Sequence, residues 1–209
     1  MSKISRHRHS LRLPDYNYAT PGAYFVTLCT WKKYCLFGEI IEGEIKLNMI
    51  GEVAAEERVK SSHVRKEFSR DIFIVMPNHL HGIVIINNSG DISNSGATGR
   101  SPLQATHSQI ANRLAPKSLE AFVAGYKSSV TKRINKVRSS PKQPFWQRNY
   151  YEHVIRNDHE LQRVRDYIVT NPLRWEIDSE NPASCGNQEA VGATGRSPIT
   201  ADYSGYTEN

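Results

Sequence analysis

The chain has 209 residues, 38% hydrophobic and 23% charged, with 27 Lys and Arg against 21 Asp and Glu for a net charge of +6. That suits one moderately basic globular domain with trimmings, or at most two small ones. No run approaches the roughly 18 to 20 uninterrupted apolar residues of a membrane-spanning helix, and the charged start MSKISRHRHSLRLP has no apolar run after it, so neither a membrane span nor a secretory signal is expected. Cys29, Cys35 and Cys185 fit neither a disulfide framework nor a zinc knuckle, so a reducing cytoplasm is the expected setting.

Residues 1–14 read as a basic arm, with Lys3, Arg6, Arg8 and Arg12 and no acidic residue. After Pro21-Gly22, the β-branched and aromatic run Ala23 to Thr30 predicts a strand. A short strand over Leu36 to Ile41 turns at Glu42-Gly43 into Glu44 to Leu47. Asn48 then opens a helical stretch to about Val64, with Ile50, Val53, Ala54 and Val59 toward one side. Asp71 to Met76 and His81 to Ile86 are near-continuous apolar runs around Pro77-Asn78-His79-Leu80. They read as adjacent central strands of a hairpin.

Residues 87–117 are dominated by Asn, Ser, Gly, Thr and Pro and are expected to form a long flexible insertion. Ser118 begins a second helix. An aromatic, basic connection follows from Pro141 to Tyr151, and His153 to Ile155 read as a short strand. Asn157 and Glu160 have capping-box spacing ahead of a third helix that Pro172 stops. From residue 179 the composition predicts a disordered tail. The heptapeptide GATGRSP occurs twice, at 96–102 and 192–198, each time inside a low-complexity stretch. It lacks the lysine and the strand–helix context of a phosphate loop and reads as a repeated insertion at tolerant surface sites.

Chemistry concentrates in two places. His79 and His81, at i and i+2 on an extended strand, lie on one face about 7 Å apart, close enough to share a metal ion. In the third helix, Leu161, Val164 and Ile168 form the apolar stripe, with Tyr167 at its edge and Asn171 one turn on. Taken alone, the histidines suit a hydrogen-bonded polar pair as well as a metal site, and Tyr167 and Asn171 suit a core-rim ring and a helix end. From Lys117 to Arg174 there are twelve Lys or Arg against five Asp or Glu, interleaved with aromatics. This suits either a phosphate-backbone contact surface or a solvated face; Lys127, Lys132 and Arg133 on the second helix and Arg163 on the third are the candidates, together with Arg6, Arg8 and Arg12 on the arm.

The stretch Phe73-Ile74-Val75-Met76-Pro77-Asn78-His79-Leu80-His81-Gly82 resembles the hairpin of the HUH single-tyrosine transposases. Trp146-Gln147-Arg148, Glu152 to Asn157, and Asp166-Tyr167-Ile168 with Asn171-Pro172 resemble the downstream signature of the REP-associated tyrosine transposases. The likeness runs from about Ser5 to Ile177, interrupted by the 87–117 insertion.

The resemblance implies an α+β fold: a ferredoxin-like, RRM-like antiparallel sheet with helices on one face, over residues 15–178. It implies His79 and His81 as ligands of a divalent ion (Mg²⁺ or Mn²⁺), Tyr167 as nucleophile, and Asn171, where relatives can carry glutamine, as third ligand. The activity implied is cleavage and rejoining of single-stranded or hairpin, REP-like palindromic DNA through a 5′-phosphotyrosine, by transesterification rather than hydrolysis. A monomer is favoured over a homodimer. A non-cleaving binder of hairpin nucleic acid and a bis-histidine metallohydrolase of small molecules are the other readings.

Overall fold

Gly22–Cys29 (β1) is the strand on which the rest is assembled, in a computed structural model that describes residues 16–87, 115–138, 143–178 and 180–182. The basic arm with Arg6, Arg8 and Arg12, most of the 87–117 insertion, both GATGRSP copies and the tail beyond 182 lie outside the described residues.

The remaining elements are β2 (Gly38–Ile41), β3 (Glu44–Leu47), α1 (Met49–Val64), β4 (Phe68–Val75), β5 (His79–Ile86), α2 (Leu119–Ile134), β6 (Tyr151–Ile155) and α3 (Asp158–Thr170). A six-residue 3₁₀ helix, Pro172–Ile177, follows α3. Among the described residues no helix is long and apolar enough to cross a membrane.

β4, β5, β1 and β6 form one antiparallel sheet in that order, and β2 and β3 form a separate hairpin. With the hairpin set aside, the sequence β1-α1-β4-β5-α2-β6 and this strand order are those of a ferredoxin-like fold. The expected α+β class with an antiparallel sheet is therefore what the chain adopts.

The two-residue period of the strands sorts the side chains onto two cores. Tyr24, Val26, Leu28, Leu80, Val84 and Ile86 face one side, packed with Ala54 of α1 and Phe122, Val123, Tyr126 and Val130 of α2. Phe25, Ile83 and Ile155 face the other, packed with Val164 and Ile168 of α3. Burial on both faces accounts for the near-continuous apolar runs of the central strands. The two helices of the ferredoxin-like motif share one face, and α3 crosses the opposite one. There, Arg165 clamps Asp71 of β4 with two hydrogen bonds of 3.1 and 2.6 Å.

Helix starts follow the expected caps. Asn48 Oδ1 accepts from the N–H groups of Ile50 and Gly51 at 2.9 and 3.1 Å, and Ser118 Oγ accepts from Ala121 N–H at 3.2 Å. Asn157 Oδ1 accepts from Glu160 N–H at 2.8 Å, while the Glu160 carboxylate reaches back to Arg156 N–H at 2.7 Å. The turn at Glu42-Gly43 has positive φ at both residues, 52° and 77°, as a two-residue hairpin requires.

One expectation shifts. Val59 is exposed rather than on the packed side of α1, because at about 100° per residue it falls opposite Ile50, while Arg58 stays near the line of Ala54. The Arg58 guanidinium lies over the rings of Phe73 and Phe122 at 5.6 and 5.5 Å. The β4–β5 turn is the Pro77-Asn78 turn that the sequence indicates. Met76 N–H donates to His79 O at 2.8 Å, so Pro77 and Asn78 alone make the turn and His79 begins the strand.

Candidate active site

His79 and His81 alternate onto the α3 face of β5, where both are fully buried. Pairing in the sheet sets Thr27 of β1 opposite His81, and the Thr27 hydroxyl lies 2.9 Å from His81 Nδ1. On the other ring, Asn78 Oδ1 lies 2.8 Å from His79 Nδ1. The Asn78 amide nitrogen donates to the carbonyls of Lys33 and Glu180 at 3.0 and 2.6 Å, which fixes its oxygen toward the histidine.

An oxygen that only accepts requires a proton on His79 Nδ1, so Nε2 of that ring carries the lone pair. The two Nε2 atoms converge at 3.0 Å. With His79 Nε2 as acceptor, His81 Nε2 donates and the Thr27 hydroxyl donates to His81 Nδ1. Rotation of that hydroxyl equally serves the other His81 tautomer, in which both Nε2 atoms present lone pairs. Burial drives the charged forms down, His79 well below the usual histidine range and His81 to about 3, so both rings are neutral near pH 7.

Tyr167 is carried over this pair by α3. Its ring stands 5.3 Å from the His81 ring and 6.0 Å from Phe25, which itself stacks on His81 at 5.4 Å. The apolar stripe of Leu161, Val164 and Ile168 seats the helix on Phe25 and Ile83 and leaves Tyr167 half-buried at its edge.

Asn171 sits at the C-terminal end of α3, buried, with its side chain hydrogen-bonded to the Asp178 carboxyl. Burial, the larger effect, raises the Asp178 pKa. The amide donates in that bond, which leaves Asn171 Oδ1 without a hydrogen-bond donor. A buried acceptor with no donor costs about 1–3 kcal/mol.

This donor set fits a divalent cation on chemical grounds: two neutral imidazole nitrogens at the spacing of adjacent ligands, and one orphaned carboxamide oxygen. Among the described residues, no three His, Cys, Asp or Glu side chains cluster as metal ligands would.

The chain after the 3₁₀ helix folds back beside the histidines. Asp178 Oδ1 accepts from Glu180 N–H at 2.7 Å, the Glu180 carboxylate lies 3.0 Å from Lys33 Nζ, and Cys29 Sγ donates to it at 3.6 Å. The sequence alone gives no role to Asn78, Thr27, Asp178 or Glu180. Asn78 was legible as the neighbour of His79 within Pro77-Asn78-His79, whereas Thr27 becomes a partner only through strand register.

Tyr167, His79 and His81 thus meet on the α3 face, with Asn171 one turn beyond Tyr167 at the C-terminal end of α3. Three of the basic candidates lie on α2. Lys127, on α2 across the sheet, donates to the carbonyls of Gln147 and Asn149 at 2.9 and 3.2 Å, with the rings of Trp146 and Tyr150 beside it. Burial pulls its pKa down to about 8. Lys132 is exposed on the same helix, and Arg163 is exposed on α3. Arg133 bridges α2 to α1 through Glu57 and Glu56 at 2.9 and 2.7 Å. Trp146 packs against Phe37 and Phe145, as a core anchor.

No family model matches the chain. A solved structure of a REP-associated tyrosine transposase bound to a REP hairpin superposes with a TM-score of 0.51 at 18% identity, over 78% of this chain and 74% of that one. At that identity the likeness is one of fold. An uncharacterized protein of Haemophilus influenzae (strain Rd) is 36% identical over 172 residues, 82% of this chain and 92% of that protein. The chain belongs to the same family as this Haemophilus influenzae protein, and its fold is that of the REP-associated tyrosine transposase.

Proposed function

We propose that the chain is a metal-dependent tyrosine transposase that cuts and rejoins single-stranded or hairpin DNA through a 5′-phosphotyrosine. The observation that carries this reading is the placement of the Tyr167 ring 5.3 Å from His81, whose Nε2 meets that of His79 at 3.0 Å. His79 Nε2, His81 Nε2 and Asn171 Oδ1 are the atoms that would hold a Mg²⁺ or Mn²⁺ ion. When bound, such an ion neutralises charge on the phosphoryl oxygens as a Lewis acid.

The chain's own residues account for the remaining chemistry. Asn78 and Thr27 orient the imidazoles, and Phe25 and the α3 stripe hold the Tyr167 ring over them. The Tyr167 hydroxyl oxygen forms the bond to phosphorus as the bond to the 3′ oxygen breaks. The phenol loses one proton and the departing 3′ oxygen gains one, so the DNA ends carry a 5′-phosphotyrosine and a 3′-hydroxyl. Because one ester replaces another, the reverse attack by a 3′-hydroxyl rejoins DNA without a nucleotide cofactor.

The test is covalent trapping on hairpin oligonucleotides taken from the flanks of the coding gene, with Mn²⁺, Mg²⁺ or EDTA. The expected result is a denaturation-resistant protein–DNA adduct that requires metal and is absent in Tyr167→Phe. Tight hairpin binding with no adduct under any metal would replace this reading with the non-cleaving binder.

A further inference from the structure

The chain leaves β1 through a tight turn, Trp31–Lys33, in which two consecutive lysines hold left-handed backbone: φ is 52° at Lys32 and 57° at Lys33. A β-carbon disfavours that conformation, which glycine and asparagine ordinarily occupy. Strain of this kind persists only where the surroundings over-determine it. Here Lys33 N–H donates to Thr30 O at 3.1 Å, Tyr34 N–H to Trp31 O at 3.2 Å, and the Thr30 hydroxyl to Tyr34 O at 2.7 Å. The Asn78 amide holds Lys33 O at 3.0 Å, and the Lys33 ammonium meets the Glu180 carboxylate at 3.0 Å.

The strained turn displays Trp31, Lys32 and Tyr34 to solvent; the two aromatic residues are 38% and 52% exposed. Neither packs in either hydrophobic core. A single side chain, Asn78, links the Lys33 carbonyl to the His79 imidazole, so the display stands at the rim of the candidate active site. On the turn's other side, Trp31 N–H donates to Phe145 O at 2.9 Å, and Thr30 bridges to Trp146. Trp146 lines an open groove of about 500 Å³ with Lys127, Ser128, Thr131, Lys132 and Asn135.

We propose that the Trp31–Tyr34 segment is a docking platform for the single-stranded DNA flanking the scissile phosphate, a reading that rests on the function proposed above. Trp31 and Tyr34 stack unpaired bases, and Lys32 meets a backbone phosphate between them. Exposed aromatic residues next to a cation are the sequence-tolerant chemistry of single-strand recognition; a paired base in a duplex offers no free face to stack. Holding the lysines in left-handed backbone keeps the turn short, and Asn78 ties it to His79.

The experiment compares a hairpin carrying a single-stranded extension with the same hairpin lacking it, by fluorescence anisotropy across a salt series. Removing both rings in Trp31→Ala/Tyr34→Ala is expected to weaken binding of the extended hairpin by about tenfold per ring while leaving the bare hairpin unchanged. Lys32→Gly removes the charge and relieves the backbone. It is expected to raise the melting temperature yet lower the salt dependence of extended-hairpin binding by about 0.7 of a counterion. Equal affinity of the double variant and wild type for the extended hairpin overturns the platform, as does Lys32→Gly binding with an unchanged salt slope. Adduct formation by the wild-type protein separates the two readings. If the adduct forms and the affinities do not change, only the platform falls; if wild type neither binds nor forms an adduct, both fall.

Discussion

Asn78 Oδ1 lies 2.8 Å from His79 Nδ1, and the amide nitrogen of the same side chain reaches the carbonyls of Lys33 and Glu180. One residue therefore sets the tautomer of a candidate ligand and ties it to two distant segments. Outer-shell partners of this kind are typically worth about 10–100-fold in metal affinity. Asn78→Ala is expected to lose about that much Mn²⁺ affinity, read by isothermal titration. Asn78→Asp keeps an acceptor on Nδ1 but sets its second oxygen against the Lys33 and Glu180 carbonyls, and is expected to recover only part of the loss.

The orphaned Asn171 Oδ1 predicts a specific thermal response. A ligand at about 100 times its Kd stabilises by about 2.7 kcal/mol. For a chain of this size each kcal/mol moves the melting temperature by roughly 2–4 °C. Mn²⁺ is therefore expected to raise the wild-type melting temperature by roughly 5–10 °C over EDTA, and by much less in Asn171→Ala. An equal rise in both proteins would remove Asn171 from the ligand set.

Lys127 predicts an alkaline pH dependence. Burial lowers its folded pKa to about 8 from 10.5, so between those values the unfolded chain binds more protons than the folded one. Its contribution to stability therefore rises with pH from about 8 to 10.5 and is flat below. In Lys127→Met, urea midpoints measured across that window are expected to rise less than those of wild type. Parallel profiles for the two proteins would contradict the lowered pKa.

Gly82 lies between His81 and Ile83 for reasons of space. A β-carbon there would stand 2.6 Å from Phe73 Cδ2, on the β4 residue paired with it. Gly82→Ala is expected to destabilise the protein by about 1–3 kcal/mol through overpacking, measured by chemical denaturation. Pairing it with Phe73→Leu is expected to recover part of the loss.

Much of the fold was legible because the relevant forces are local. The apolar runs of β1, β4 and β5, the caps at Asn48, Ser118 and Asn157, and the Glu42-Gly43 turn all depend on residues within a few positions of one another. Elsewhere, neighbours across space decide the outcome. Arg58 is buried because Phe73 and Phe122 offer it ring faces. The domain's contacts also continue past residue 178, because Glu180 finds Lys33 and Asn78 more than a hundred residues away.

The site divides along the same line. The i, i+2 spacing of His79 and His81 on a strand and the i, i+4 spacing of Tyr167 and Asn171 on a helix are periodicities of the backbone, so the sequence alone determined that each pair shares a face. Whether the two faces meet was a matter of tertiary structure. The strand alternation that turns Phe25 and Ile83 toward α3 also turns the histidines that way, and the α3 stripe docks on those apolar residues because they are the surface left uncovered by α1 and α2. Strand register then sets Thr27 against His81, and the two-residue turn sets Asn78 against His79. Hydrophobic periodicity specifies which side of an element is buried, but not what it is buried against; that follows only when the sheet and its three helices pack together.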